Sequence, residues 1–166
     1  MKQLTIIRHA KSSWEHPHLS DFERPLNSRG KRNAPMMGRI LRDEGVMFDQ
    51  IISSPAKRAI TTARTIAGEM GYSENNIVEE HSFYGAHPST IIEILKDLDD
   101  SASHAAVFGH NPTFHSLVEQ LANTTIEKFP TCTAATISLN IDTWLELEAA
   151  SGTLTTLRLP RDYMDK

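Results

Sequence analysis

Five side chains in this sequence have the chemistry to handle a phosphoryl group: Arg8, His9, Arg24, Arg58 and His110. A neutral imidazole can attack phosphorus and hold the phosphoryl group covalently. Planar guanidinium forks bind the non-bridging oxygens two at a time. A second histidine can donate to an equatorial oxygen and stabilise charge in the transition state. Two histidines and three arginines are what phosphoryl transfer through a phosphohistidine needs. No metal or other cofactor is required when arginines carry the charge.

The elements that must position these groups can be read from the pattern around them. Residues 2–8 hold the apolar run Leu4-Thr5-Ile6-Ile7 and read as a buried strand ending at Arg8-His9. Residues 10–27 are polar, contain two prolines and form a long loop, of a size more often functional than idle. Asn27 caps a helix running to about Glu44 and closed by Gly45, with a kink or local break expected at Pro35. Phe48 to Ile52 is a second strand. Ser54 then caps a helix with Pro55 at its first position, which sets Arg58 one turn in. Ile77-Val78 is a weak strand, and Pro88 opens the next helix. Residues 104–109 form a central strand leading to His110, and Pro112 opens the helix after it. Residues 134–141 and 153–159 alternate as the last two strands, joined as a hairpin through Glu148 to Gly152.

Strands alternating with helices predict an α/β architecture of three layers, with about six strands between helices. If the strands are parallel neighbours, Arg8, His9, Arg58 and His110 converge at their carboxyl ends, where open α/β sheets bind ligands. Two helix N-termini then point at the same place and add partial positive charge.

Composition narrows the function classes. A chain of 166 residues suits a single domain, 1–166. The formal net charge is −4, so nothing global favours nucleic acid, and an anion site must be a local concentration of arginines. Cys132 is the only cysteine, which precludes an internal disulfide and points to a reducing compartment. No signal-peptide pattern and no apolar run of spanning length are present, so a cytoplasmic protein without a membrane partner is expected.

The segments RHAKS, RPLNSRG, SSPAKRAITTA and GHNP follow one another in an order that resembles the histidine phosphatase (phosphoglycerate mutase-like) superfamily. The similarity runs from Leu4 to about Leu159. The short length and the RPLxxxG segment look most like its SixA-type phosphohistidine phosphatases. The resemblance implies a mostly parallel sheet with one antiparallel strand. It implies His9 as nucleophile, and Arg8, Arg58 and His110 as the phosphate pocket. Arg24 would approach the phosphate from the long loop, with Ser12 and Asn111 also on the substrate side. It further implies a hydrolase acting on phosphohistidine of a protein. A small phosphate ester is the alternative substrate, and a phosphate-binding module without turnover is a third reading. Relatives acting on esters usually carry a glutamate shortly before an aromatic-glycine step as general acid. Here that stretch is Glu79-Glu80-His81-Ser82-Phe83-Tyr84-Gly85, and the count falls on His81 while a one-residue shift brings in Glu80.

Each feature also has a plainer reading. Arg24 could brace the loop against Asp21 instead of meeting phosphate. Ser12 and Ser13 could hold the loop by local hydrogen bonds. Trp14 and Phe22 are expected to pack that loop down, the alternative being an apolar rim presented to a protein partner. His16-Pro17-His18 suggests a metal only superficially, and a solvated loop is expected.

Overall fold

The computed structural model describes residues 1–164. In chain order its elements are β1 (Lys2–Arg8), α1 (Ser28–Asp43), β2 (Gln50–Ser53), α2 (Lys57–Glu69), β3 (Val78–Glu79), α3 (Pro88–Leu95), β4 (His104–Gly109), α4 (Thr113–Ala122), β5 (Ala134–Leu139) and β6 (Gly152–Arg158). The strands form one sheet in the order β3-β2-β4-β1-β5-β6. β1, β4, β2 and β3 pair in parallel, while β5 runs antiparallel to both β1 and β6. One strand therefore opposes the rest, as the resemblance implied.

Helices cover both faces, and the alternation along the strands shows which residues meet which layer. Leu4 and Ile6 of β1, with Ala105 and Val107 of β4, pack on one side with Phe114, Leu117 and Val118 of α4 and Ile91 of α3. Ile7, Ala106 and Phe108 point to the other side, against Met37 and Leu41 of α1 and Ala63 and Ile66 of α2. A central strand buried on both faces carries apolar residues at successive positions, which is why β1 and β4 read as continuous runs. Parallel pairing sets Arg8 opposite Gly109 and Ser53 opposite Phe108. The residues that follow these strands, His9, His110 and Ser54, must emerge side by side.

Several expected boundaries shift. Asn27 caps α1 as expected, its side chain accepting from Gly30 N at 2.9 Å. The helix continues through Pro35 without a break. α2 starts at Lys57, with Ala56 rather than Ser54 at its cap. The Ser54 hydroxyl instead accepts from Ala56 N at 3.2 Å, so the Ser-Pro pair forms the turn that enters the helix. Arg58 thus sits in the first turn of α2. β5 and β6 form the expected antiparallel hairpin, with a connection of residues 140–151 that includes a 3-10 turn at Trp144–Glu146. There the fully buried Trp144 fills the space under the connection, its indole Nε1 donating to the Ala102 carbonyl at 2.8 Å.

The 10–27 loop is held against α1 by close backbone contact. A Cβ on Gly30 would lie 2.2 Å from the Lys11 carbonyl oxygen, and Asn27 N donates to that same oxygen at 3.0 Å. Nothing stands within 4 Å of a Cβ placed on Gly68 near the end of α2. We expect Gly30→Ala to destabilise the fold by roughly 1–3 kcal/mol, because rigid backbone must move. Gly68→Ala should stabilise by about 0.5–1 kcal/mol through helix propensity. Urea unfolding of the two variants checks this, and equal responses would refute the packing explanation.

Candidate active site

His9 follows β1 directly, and its backbone N–H donates to the Gly109 carbonyl of β4 at 3.0 Å. That bond keeps the two strand ends in register just where the histidines leave the sheet. The His9 and His110 rings lie 5.3 Å apart. His9 Nδ1 meets the Ala10 carbonyl oxygen at 2.7 Å. A carbonyl only accepts, so Nδ1 carries the proton and Nε2 keeps its lone pair. His110 Nε2 lies 2.8 Å from the Ser54 hydroxyl.

Arg8, His9, Arg24, Arg58 and His110 line one cavity of about 220 Å³, together with Lys11, Ser12, Trp14, Asn111 and Thr131. The structure brings the expected nucleophile, His9, together with the three residues of the expected phosphate pocket, Arg8, Arg58 and His110. It also brings in Arg24, Ser12 and Asn111 from the substrate-side set. Glu80 and His81 do not line the cavity. Glu80 caps a short 3-10 turn, its carboxylate accepting from Ser82 N at 3.3 Å, and His81 is exposed. A larger depression of about 590 Å³ lies near His104 and Arg158. There the Arg158 guanidinium is committed to Glu44, Thr136 and Thr156.

Arg24 braces the loop, as its plainer reading has it, and also lines the cavity. Its Nε donates to Ser13 O at 3.1 Å, its Nη1 to Asp21 Oδ1 at 2.8 Å, and its Nη2 to the Ser12 hydroxyl. Arg58 donates through Nη1 to the Asp21 carbonyl at 2.6 Å and through Nη2 to Asp21 Oδ2 at 3.0 Å. The Tyr84 hydroxyl donates to that same Oδ2 at 2.6 Å. Asp21 therefore collects two guanidinium groups and a phenol, and ties the long loop to α2. The Tyr84 hydroxyl, followed by the Arg24 and Arg58 guanidinium groups, holds the Asp21 carboxyl well below the usual range. The sequence offered Asp21 only as a brace for Arg24, which it is; its hold on Arg58 and Tyr84 left no signal there.

The segment before β5 also went unread. Cys132 N donates to both the Arg8 and His9 carbonyls, at 3.1 and 3.0 Å. The Phe129 carbonyl accepts from Arg8 Nη1 at 3.2 Å and from Asn111 Nδ2 at 2.8 Å. Cys132 adopts φ 60° while fully buried, a conformation for which no glycine or asparagine gave notice. Trp14 departs from expectation: it is 75% exposed instead of packed down. His16 and His18 are both exposed, their rings 6.2 Å apart edge to face.

Burial governs the charge state of both histidines. Desolvation first, then the neighbouring His110, Arg58 and Arg8, push His9 down to about 3. Desolvation and Arg58 push His110 to about 4, against a smaller upward pull from Asp21. Arg8 is also lowered, by burial and by Arg58. At neutral pH the site thus presents two neutral imidazoles among arginines, an arrangement able to bind an oxyanion and offer a nitrogen nucleophile to it.

The sequence and the fold resemble those of known proteins. The sequence model of the histidine phosphatase superfamily (branch 1) matches residues 4–83. An uncharacterised protein of Mycobacterium tuberculosis is 32% identical over 167 residues, covering 93% of this chain and 100% of that one. The structure of the protein histidine phosphatase SixA complexed with tungstate superposes with a TM-score of 0.84 at 21% identity, covering 98% of this chain and 99% of that one. The alpha-ribazole phosphatase of Shigella flexneri gives 0.69 at 16% identity, covering 95% and 96%. The fold is the α/β fold of phosphoglycerate mutase-like proteins. The chain belongs to the histidine phosphatase superfamily, whose members are phosphatases.

The depressed histidines have a pH consequence. Folding lowers both from 6.5, so between that pH and the depressed values the folded protein binds fewer protons than the unfolded chain. Their contribution to stability is complete above pH 6.5 and is lost as pH falls toward 4 and 3. Ring-proton shifts of His9 and His110, followed by NMR, should stay in the neutral form down to pH 5. An inflection near 6.5 at either ring would overturn this assignment.

Proposed function

We propose that this protein is a metal-independent phosphatase that works through a phosphohistidine at His9, with phosphohistidine on a protein as its substrate. The observation that carries the reading is the Nδ1–H bond of His9 to the Ala10 carbonyl, which leaves Nε2 as a lone-pair nitrogen in an arginine-lined cavity.

In the first step His9 Nε2 forms a bond to phosphorus and the substrate's N–P bond breaks. The electron pair goes to the departing imidazole nitrogen. A phosphohistidine protonated on its other ring nitrogen leaves as a neutral imidazole without a general acid. In the second step water attacks phosphorus, the Nε2–P bond breaks, and its electrons restore neutral His9. The water gives up a proton to solvent, and inorganic phosphate departs. Arg8, Arg24 and Arg58 meet the equatorial oxygens through both steps, with Ser12 and Asn111 at their sides. His110 strengthens its hold as charge develops, and a bound dianion raises its proton affinity at that moment.

Glu80 and His81 lie outside the cavity lining, which favours nitrogen–phosphorus bonds over esters. An alkoxide needs strong protonation to leave, whereas imidazole does not. A compartment such as the cytoplasm suits the single thiol, and no helix among the described residues is long and apolar enough to cross a membrane.

Two experiments test the proposal. His9→Ala should lower turnover by several powers of ten with the fold intact, and normal turnover in that variant excludes His9 as nucleophile. Arg8→Ala and Arg58→Ala should each cost on the order of 2–4 kcal/mol of transition-state stabilisation. A substrate panel of a phosphohistidine protein and small phosphate esters, assayed with wild type, Glu80→Gln and His81→Ala, then ranks the substrates. Phosphohistidine hydrolysis should stay within about tenfold of wild type in both variants. Efficient ester turnover that disappears in Glu80→Gln would promote the small-ester reading.

A further inference from the structure

Trp14 is the large apolar side chain that the proposed chemistry leaves unexplained. It lines the arginine cavity, yet is 75% exposed. An indole left in water forgoes one of the largest hydrophobic gains a side chain can make. Its position is not accidental, because the Arg24 guanidinium carbon sits 3.3 Å from the centre of its ring system. The direction of support is clear from Arg24's other partners. Arg24 is 8% exposed and already held by Ser13 O, Asp21 Oδ1 and the Ser12 hydroxyl. It therefore does not depend on Trp14 for its place. The cation instead fixes one face of the indole and leaves the rest of its surface open at the cavity mouth.

The cavity behind that mouth is small and polar, about 220 Å³, a fit for a phosphoryl group but not for a bulky substrate. Whatever carries the phosphoryl group must extend out of that cavity, whose lining includes the exposed Trp14. We propose that Trp14 is a specificity-determining residue that stacks on the planar imidazole leaving group of a phosphohistidine substrate. This rests on the nitrogen–phosphorus reading above. A flat ring gains a π-face contact there, while a leaving group without a ring gains none.

The test compares two substrates with the same scissile bond. Phosphoimidazole releases a planar ring, and phosphoramidate releases ammonia. For Trp14→Ala we expect KM for phosphoimidazole to rise about tenfold with kcat little changed. KM for phosphoramidate and inhibition by tungstate should stay at wild-type values, and Trp14→Phe should recover most of the loss. Equal losses on both substrates, or weakened tungstate inhibition, would show that Trp14 merely braces Arg24, and would overturn the proposal. No change on either substrate would overturn it as well. A binding readout separates this idea from the catalytic one. In His9→Ala, phosphoimidazole should perturb the emission of exposed Trp14, while Trp144, fully buried, supplies a constant background. That perturbation, absent when phosphoramidate replaces phosphoimidazole, supports the stacking site even if wild type turns over no nitrogen–phosphorus substrate. Its absence in His9→Ala counts against stacking whatever the turnover.

Discussion

Crowding three guanidinium groups around one small cavity is the constraint to which the surrounding structure answers. Like charges at close range repel, and burial weakens the water that would screen them. The lowered proton affinity of Arg8, from burial and from Arg58, registers that strain. Asp21 is the counterweight. Its ionised carboxylate takes one donor from Arg24 and one from Arg58, and its carbonyl takes another from Arg58. Part of each guanidinium fork is thereby fixed in direction, while both groups still line the cavity. The same contacts close the 10–27 loop onto α2 and reach Tyr84, whose ring lies edge-on to His110 at 5.6 Å. One carboxylate thus orders the long loop, the first turn of α2 and the wall beside the second histidine.

The two histidines are kept uncharged by a different means. They stand at the ends of β1 and β4, where His9 is buried and His110 half-buried, so their contact with water is reduced. Neutrality follows from burial in an already cationic setting, and the Ala10 carbonyl then selects which nitrogen of His9 holds the proton. Sheet register, desolvation and a local hydrogen bond each contribute something the others do not.

Much of this could be read from the residues, for physical reasons that also explain the failures. The strand runs Leu4–Ile7 and 104–109 are continuous because both faces are buried, and the groups next to them had to lie at one sheet edge. Asn27 capped its helix as side-chain chemistry demands. Ser54 did not, because its hydroxyl is occupied in the turn before α2 and beside His110. The break expected at Pro35 did not occur; packing of Ala34, Met37 and Leu41 carries the helix across it. The contacts of Asp21 with Arg58 and Tyr84, and the Cys132 amide bridging Arg8 and His9, escaped notice since tertiary contacts leave no periodic trace. Trp14 was misjudged because apolar character alone does not reveal which side of a loop meets the core.

The position of β1 has a consequence for how the chain is built. Its neighbours on either side, β4 and β5, begin at residues 104 and 134, so the first strand made is among the last that can pair. Until then Leu4, Ile6 and Ile7 are apolar and have no sheet to enter. The Cys132 amide that joins Arg8 and His9 is synthesised later still than His110. Folding must therefore close contacts spanning more than a hundred residues before any anion could find a finished pocket, an ordering that favours slow, cooperative assembly. A nascent or truncated chain carrying His9 and three arginines would hold most of the chemistry and none of the enclosure, with an unpaired strand edge exposed to aggregation in its place.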